Sequence, residues 1–384
     1  MTQPIPLAIP HLGGNESEYV HQCLSAGMVS SVGEFVPRFE REFAAVVGAR
    51  HAIACASGTA ALHVALQVAG VTPGDEVFVS DFTFMASVNA VSYLNARPVL
   101  VDSETDTWNM DPDLLRDELN RRRTAGEPMP KAVELVHVLG QPAATDRILA
   151  IAEDFGVAVV EDAAEALGAT VGLKHVGTFG RLGAFSFNGN KIMTTGGGGM
   201  IVTDDPELAA RAKHLTTQAK IEGLGYLHDE VGYNYRLTNV AAALGVAQLE
   251  QLPQFLARKR SIANRYDAAL ADLDDLTLPP RLPSSHSTYW LYSVLLGPMD
   301  GGPATRDAIM ADLRAVSIDA RPLWRPIHLQ PPYAGVKTLG GAVGQDLFAR
   351  GLSLPCSVAL TDDQQNRVLD VLRSRLPARS RELT

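Results

Sequence analysis

Lys191 is the residue whose type and surroundings most directly suggest chemistry in this sequence. It follows the strand-like stretch 183–187, GAFSF, and precedes four consecutive glycines at 196–199. An amine fixed between a strand and a glycine loop can form a Schiff base with an aldehyde cofactor. The same pattern also fits a surface lysine beside a flexible loop, and this segment alone does not distinguish the two.

An acidic residue ends an apolar run upstream of this lysine. The stretch 157–162, VAVVED, is typical of a buried parallel strand and ends in Asp162. Open α/β sheets bind their ligands at the carboxyl ends of strands. A carboxylate there can keep the pyridine nitrogen of pyridoxal phosphate (PLP) protonated, so that the ring accepts electrons. By itself, such an acid could equally cap the following helix.

A third segment, His51 to Leu62, has the pattern of a strand, a tight turn and a helix. Ser57, Gly58 and Thr59 fall where that helix would begin. Free N–H groups and the helix dipole make such a turn a phosphate site, although the tripeptide alone is an ordinary N-cap. Together with Asp162 and Lys191, it supplies the three contacts that PLP requires.

These residues need a scaffold, and the alternation of apolar and helical stretches between 50 and 205 predicts one. Helical stretches such as 60–68 and 148–155 separate the apolar runs. The pattern predicts an α/β fold with a mostly parallel sheet covered by helices on both faces. The expected strands are HAIACAS, DEVFVSD, PVLVDS, AVELVHV, VAVVED and MIVTDD.

The later part of the chain has a different organisation. A helical region is expected over about 206–273, and prolines then interrupt the chain at 279–283. The strand-like TYWLYSVLL and a final helix near 362–376 predict a small α+β domain. We therefore expect a large domain over residues 1–273, including the N-terminal segment, and a small C-terminal domain over 274–384.

Composition excludes several classes of protein. The 384 residues are 46% hydrophobic and 20% charged, which is ordinary for a globular enzyme, and the net charge of −10 disfavours nucleic acid as a partner. The three cysteines show no metal-ligand or disulfide spacing. We expect no bound metal, no signal peptide, no membrane association and a cytoplasmic location.

Taken together, the motifs make the chain similar to the DegT/DnrJ/EryC1/StrS family of PLP-dependent nucleotide-sugar aminotransferases. The resemblance extends over nearly the whole chain. It is strongest for the enzymes that aminate nucleotide-linked 4-keto-6-deoxy sugars of the legionaminic acid, bacillosamine and perosamine type. The matching segments are SGTAALHVAL, DFTFMASVNAV, VEDAAEALGA, FSFNGNK, GYNYRLTNVAAALGVAQLEQL and RPLWRPIHLQPPY.

The resemblance implies a type I, aspartate-aminotransferase-like fold and assigns further roles at the cofactor. It implies that Lys191 and Asp162 are catalytic, that Phe84 stacks on the PLP ring and that Ser186 binds its phosphate. Glu165 stands where many members carry glutamine near the cofactor's phenolic oxygen. A glutamate there must be protonated or face a donor, so we expect its pKa to be altered.

The resemblance also implies a homodimer with shared active sites. Asn234 would reach the partner's phosphate site and Arg236 the partner's substrate, whereas His328 would approach the sugar within its own chain. Trp290 is expected in the core rather than at a ligand. Without the resemblance, Arg236 would fit a surface ion pair and His328 a structural role.

The expected reaction is transamination of a nucleotide-linked 4-keto-6-deoxy sugar, UDP- or GDP-linked, with L-glutamate as amino donor and 2-oxoglutarate as its product. One alternative is amination of a 3-keto sugar nucleotide. A second is a sugar dehydratase of the same fold, in which histidine replaces the Schiff-base lysine. A third is a non-catalytic PLP-binding homologue.

Overall fold

The computed structural model describes residues 3–221, 223, 225–297 and 302–376. Within this part of the chain, helices and strands alternate up to about residue 216, as the sequence predicts. The helices are α1 Glu16–Ser25, α2 Phe35–Val47, α3 Gly58–Val68, α4 Met85–Tyr93, α5 Pro112–Ala125, α6 Thr145–Asp154, α7 Pro206–Thr216, α8 Asn239–Leu270, α9 Gly302–Ala315, α10 Ala342–Arg350 and α11 Asp362–Arg375.

The strands form one large sheet and two small ones. Short 3₁₀ turns lie at Val138–Gly140, Ile327–Leu329 and Pro331–Tyr333. The strands are β1 His51–Cys55, β2 Glu76–Ser80, β3 Arg97–Val101, β4 Ala132–Val136, β5 Ala158–Asp162, β6 Thr170–Val171, β7 Lys174–His175, β8 Leu182–Ser186, β9 Gly199–Thr203, β10 Leu276–Thr277, β11 Ser285–His286, β12 Tyr292–Leu296, β13 Arg321–Pro322, β14 Thr338–Leu339 and β15 Gly351–Leu354.

The large sheet has the order β1-β9-β8-β5-β4-β2-β3-β14. Strand β9 is antiparallel to β1 and β8, and the remaining neighbours pair in parallel. Strands β1, β8, β5, β4 and β2 therefore share one direction, and their carboxyl ends meet at one edge. The chain segments after β1 and β2 carry Ser57 and Phe84 to that edge, and Asp162 and Ser186 are the last residues of β5 and β8. The predicted mostly parallel α/β sheet is confirmed.

The helical region expected over about 206–273 is present but interrupted. Helix α7 ends at Thr216, and α8 begins only at Asn239. The connecting loop contains glycines, and its residues Gln218 and Ala219 have φ of 68° and 54°, which a right-handed helix does not allow. None of the described helices is both long and apolar enough to cross a membrane.

The second sheet, β10-β12-β15-β13, lies in the region expected to form the small domain. Several contacts cross the expected division at residue 273, among them the pairing of β11 with β6. Strand β14 pairs with β3 of the large sheet, and Ile5 near the N-terminus bridges to Ile318. The division therefore stays a prediction. Cys23, Cys55 and Cys356 are free and buried, as expected for inert thiols.

Glu134 is an unusual member of the sheet core. It is fully buried in β4, and both its carboxyl oxygens lack a hydrogen-bond partner among the described residues. It pairs with Val160, two residues before Asp162 on β5, so Glu134 and Asp162 share one face of the sheet. Burial, and then the charge of Asp162, raise the pKa of Glu134 well above its ordinary value of 4.5.

We expect stability to depend on pH through Glu134. Its raised pKa means that the folded chain retains a proton that the unfolded chain loses. This contribution is complete below pH 4.5 and is lost as pH rises towards the folded-state pKa. Relative to Glu134→Gln, the wild type should lose up to about 1.4 kcal/mol of unfolding free energy per pH unit, as measured by urea unfolding between about pH 5 and 8.

Glu118 serves as a control, because its contribution to stability should change with pH in the opposite direction. Its hydrogen bond to Arg121 lowers the pKa of Glu118, so its contribution to stability is present above the ordinary value and is lost on acidification. The difference between the wild type and Glu118→Gln should shrink as pH falls. Equal pH slopes for the wild type and Glu134→Gln would show that Glu134 ionises without cost.

Candidate active site

A cavity of about 270 Å³ opens at the carboxyl edge of the large sheet. Its walls come from the turns after β1, β2, β5 and β8, because these strands share one direction. Eight of the eleven predicted site residues line it: Ser57, Gly58, Thr59, Phe84, Asp162, Glu165, Ser186 and Lys191.

The turn between β1 and α3 is built to receive an anion. Ser57 is the N-cap of α3: its hydroxyl accepts from Ala60 N–H at 3.1 Å, and its carbonyl accepts from Ala61 N–H at 3.0 Å. The N–H groups of Gly58 and Thr59 remain without a partner within the helix. A Cβ at Gly58 would lie 2.7 Å from that of Ser186, so glycine permits the two turns to meet. The predicted helix start is confirmed.

Asp162 lies at the floor of the cavity and is only 5% exposed. Its carboxylate accepts from Ser87 Oγ at 2.8 Å and from Ala164 N–H at 3.0 Å. Burial raises the pKa of Asp162, while the two hydrogen bonds and the charge of Lys191 oppose that rise. A carboxyl group at this position can keep a neighbouring ring nitrogen protonated.

Lys191 carries its amine into the same cavity from the turn after β8. Its backbone N–H bonds to Asn188 O at 3.0 Å, which fixes this turn. The Nζ atom lies 3.4 Å from Glu165 Oε1 and 3.7 Å from the ring centre of Trp290. The amine thus sits between a carboxyl group and an aromatic face, with its side chain only 13% exposed.

Glu165 faces hydrogen-bond donors, as expected for a glutamate at this position. Its Oε2 accepts from Leu139 N–H at 2.7 Å, and Oε1 faces Lys191. Leu139 adopts a φ of 58°, a conformation uncommon for leucine, within the 3₁₀ turn that presents this N–H. Burial raises the pKa of Glu165, and the charge of Lys191 opposes the rise. The altered pKa agrees with the expectation.

Trp290 is 2% exposed and belongs to the hydrophobic core, as expected, and its indole also lines the cavity. It forms an aromatic wall with Trp324 and Phe84: ring centres lie 6.2 Å apart for Trp290 and Trp324 and 5.4 Å apart for Phe84 and Trp324. Trp324 and Ser87 also line the cavity and were not predicted from the sequence. Ser87 lies three residues after Phe84 and one helical turn into α4, so helical spacing could have identified it.

Three predicted residues lie outside the lining of this cavity. Asn234 and Arg236 are exposed on the loop between α7 and α8, where Arg236 Nη2 donates to Gln218 Oε1 at 3.2 Å. His328 pairs through Nδ1 with Asp81 Oδ2 at 2.5 Å, and its Nε2 lies 2.9 Å from Gln345. Within a single chain, these three side chains are therefore engaged elsewhere.

The donor set fits PLP. The N–H groups of Gly58 and Thr59 form an anion-binding turn. Because Gly58 has no Cβ, Ser186 can lie close to this turn. A buried carboxyl group lies at the floor, and a lysine amine lies between Glu165 and Trp290. Phosphate, pyridine nitrogen and aldehyde each have a matching group, so Ser186 with the helix start, Asp162 and Lys191 would hold the cofactor.

Known proteins show the same combination of sequence and fold. The model of the DegT/DnrJ/EryC1/StrS aminotransferase family matches residues 10–373. The putative pyridoxal phosphate-dependent aminotransferase EpsN of Bacillus subtilis (strain 168) is 42% identical, covering 97% of this chain and 96% of its own. The GDP-perosamine synthase of Caulobacter vibrioides (strain ATCC 19089 / CIP 103742 / CB 15) is also 42% identical, covering 96% and 97%.

A solved structure agrees with these relatives. A DegT DnrJ EryC1 StrS aminotransferase from Brucella abortus superposes with a TM-score of 0.87 at 32% identity, covering 94% of this chain and 95% of its own. This likeness confirms the expected type I fold. The chain belongs to the DegT/DnrJ/EryC1/StrS aminotransferase family and is a PLP-dependent sugar aminotransferase.

Proposed function

We propose that this enzyme places an amine on C4 of a nucleotide-linked 4-keto-6-deoxy sugar, with L-glutamate as the amino donor. The observation that carries the proposal is the position of Lys191 Nζ, 3.4 Å from Glu165 and above a floor formed by buried Asp162. The 42% identity to a protein named GDP-perosamine synthase supports a nucleotide sugar as the substrate.

Each residue has a defined task in this proposal. When bound, PLP supplies an aldehyde that accepts the amine and a ring that accepts electrons. The N–H groups of Gly58 and Thr59 and the Ser186 hydroxyl would bind the phosphate, and Asp162 would keep the ring nitrogen protonated. Lys191 Nζ would anchor the cofactor and serve as the general base and acid that moves a proton.

The aromatic wall of Phe84, Trp290 and Trp324 offers flat apolar surface on which a ring can stack. The dehydratase alternative requires histidine in place of the Schiff-base lysine, and this chain has Lys191. The alternative of amination at C3 is tested by including 3-keto sugars in the experiment.

The reaction is tested with a panel of UDP-, GDP- and dTDP-linked 4-keto and 3-keto sugars, each incubated with L-glutamate. We expect formation of 2-oxoglutarate and of an aminated sugar with a 4-keto-6-deoxy substrate, measured by mass spectrometry. Lys191→Ala should lower turnover by about a thousandfold or more, because no other described amine lines the cavity.

Thr194→Ser, a conservative change at a buried residue that does not line the cavity, serves as the matched control and should stay active. Preference for a 3-keto sugar would overturn the C4 assignment alone. Near-normal turnover of Lys191→Ala would overturn the role of the lysine.

Glu165 provides a second test. Glu165→Gln keeps an oxygen that accepts from Leu139 N–H but cannot ionise. Because burial raises the pKa of Glu165 above its ordinary 4.5, the wild type should show an acid-side ionisation in kcat that the variant lacks. We expect activity within about tenfold of wild type at neutral pH, since a proton-transfer role would cost about a hundredfold or more. A larger loss would assign proton transfer to Glu165.

We also propose a symmetric homodimer whose active sites each take Asn234 and Arg236 from the other chain. Both side chains are exposed and lie outside the cavity of their own chain. A guanidinium group suits two-point binding of phosphate or carboxylate. Arg236 therefore has the chemistry to bind an anionic nucleotide sugar in the partner's site.

Subunit complementation tests this arrangement. Inactive Lys191→Ala and inactive Arg236→Ala chains are mixed under conditions of proven exchange. If Arg236 acts across the dimer, each mixed dimer has one intact site and should recover about half of wild-type activity. Arg211→Ala, which removes an arginine of α7 that pairs with Glu230, is the matched control and should stay active. Absence of recovery would show that Arg236 serves its own chain or no site.

A further inference from the structure

Lys259 is a buried cation without a carboxylate partner among the described residues. It lies on α8 and is 4% exposed. Its Nζ donates to the main-chain carbonyls of Trp290 at 2.8 Å and Cys356 at 2.7 Å, and lies 3.2 Å from Cys356 Sγ. An ammonium group has three protons and strong hydration, so its burial is tolerated only when these donors are satisfied.

Trp290 is fixed at several points, and Lys259 provides one of them. Its carbonyl accepts from Lys259, and its indole Nε1 donates to Asn190 O at 2.7 Å. The face of the same indole lies 3.7 Å from Lys191 Nζ. A continuous line of contacts therefore runs from Lys259 through Trp290 to Lys191.

We infer that Lys259 is a positioning residue: through Trp290, it holds the aromatic face against which the Lys191 amine rests. Lys259 does not line the cavity, so it acts only through another residue. The inference rests on the proposed role of Lys191 as the reactive amine. It concerns how that amine is held, whichever sugar the enzyme uses.

Lys259 lies where it can connect separate parts of the chain. Lys259 belongs to the long helix α8, Trp290 precedes β12, and Cys356 follows β15. Two buried carbonyls that would repel each other are drawn to one ammonium group. Cys356 Sγ also donates to Trp290 O at 3.3 Å, but a thiol is a weak donor. A shorter, uncharged side chain at 259 would hold both carbonyls less firmly, and the Trp290 backbone would relax.

The test measures the exposure of the Lys191 amine directly, in the cofactor-free full-length protein. Acetic anhydride at neutral pH labels lysines, and the Lys191 peptide is quantified by mass spectrometry. We expect Lys259→Gln to increase the labelling rate of Lys191 by about three- to tenfold, since the amine would lose contact with the aromatic face that covers it. Lys259→Arg keeps the charge and its donors and should return the rate towards wild type.

A matched control distinguishes an effect on the position of Trp290 from a general loss of packing. Tyr266 lies on the same helix, is fully buried, and its hydroxyl donates to Pro355 O at 2.9 Å, next to Cys356. Tyr266→Phe removes a comparable buried hydrogen bond without touching Trp290. It should leave the labelling of Lys191 unchanged. An equal increase in this control would overturn the inference.

A double-mutant cycle gives the decisive result. In Trp290→Leu, the aromatic face is absent, so Lys191 labelling should already be raised, and adding Lys259→Gln should change it no further. Additive effects would mean that Lys259 acts by another route. If Lys259→Gln does not fold, Trp290→Leu alone decides: unchanged labelling overturns the inference, because Lys259 would then have nothing to act through. Absence of amination of every sugar in the panel by the wild type, with labelling that responds as expected, would instead count against the proposed function.

Discussion

The site depends on one ammonium group placed beside two buried carboxyl groups. Burial raises the pKa of both Asp162 and Glu165, because a low-dielectric surrounding disfavours their charged forms. The charge of Lys191 opposes the rise in both cases. The protonation of the two acids is therefore tied to the state of one amine. Any chemistry that engages the Lys191 amine also changes the electrostatic surroundings of Asp162 and Glu165.

The floor of the site could be predicted from the sequence because it follows from strand direction. Asp162 and Ser186 end strands, and Ser57 follows one directly, so parallel pairing is enough to bring them to one edge. The helix start at Gly58 was equally predictable, because Ser57 is a good N-cap residue and the following alanines and leucine favour helix. Local chemistry and sheet topology agree at these positions.

The walls of the site were harder to predict, because they depend on contacts between residues distant in sequence. Trp290 and Lys191 meet across about a hundred positions, and a lone tryptophan in an apolar stretch gives no sign of such a contact. His328 forms a hydrogen bond with the buried Asp81 and is not part of the cavity lining, so its approach to the sugar stays a prediction. The bounds of the loop after α7 were not predicted, because helix-forming residues surround its glycines.

Three buried ionisable side chains differ in the partners that surround them. Glu161, on the face opposite to Asp162, accepts from the N–H groups of Gly177, Phe179 and Gly180 and lies 3.0 Å from His137 Nε2. The side-chain amine of Lys259 donates hydrogen bonds to two main-chain carbonyls. Glu134 has neither kind of partner among the described residues, so its burial favours the neutral form.

This neutrality matters for the site above it. A charged Glu134 would stand on the same face as Asp162 and disfavour ionisation of that carboxyl group. Glu165, the second acid of the site, faces the Lys191 amine. Burial raises the pKa of Asp162, and the hydrogen bonds from Ala164 and Ser87, followed by the charge of Lys191, oppose that rise.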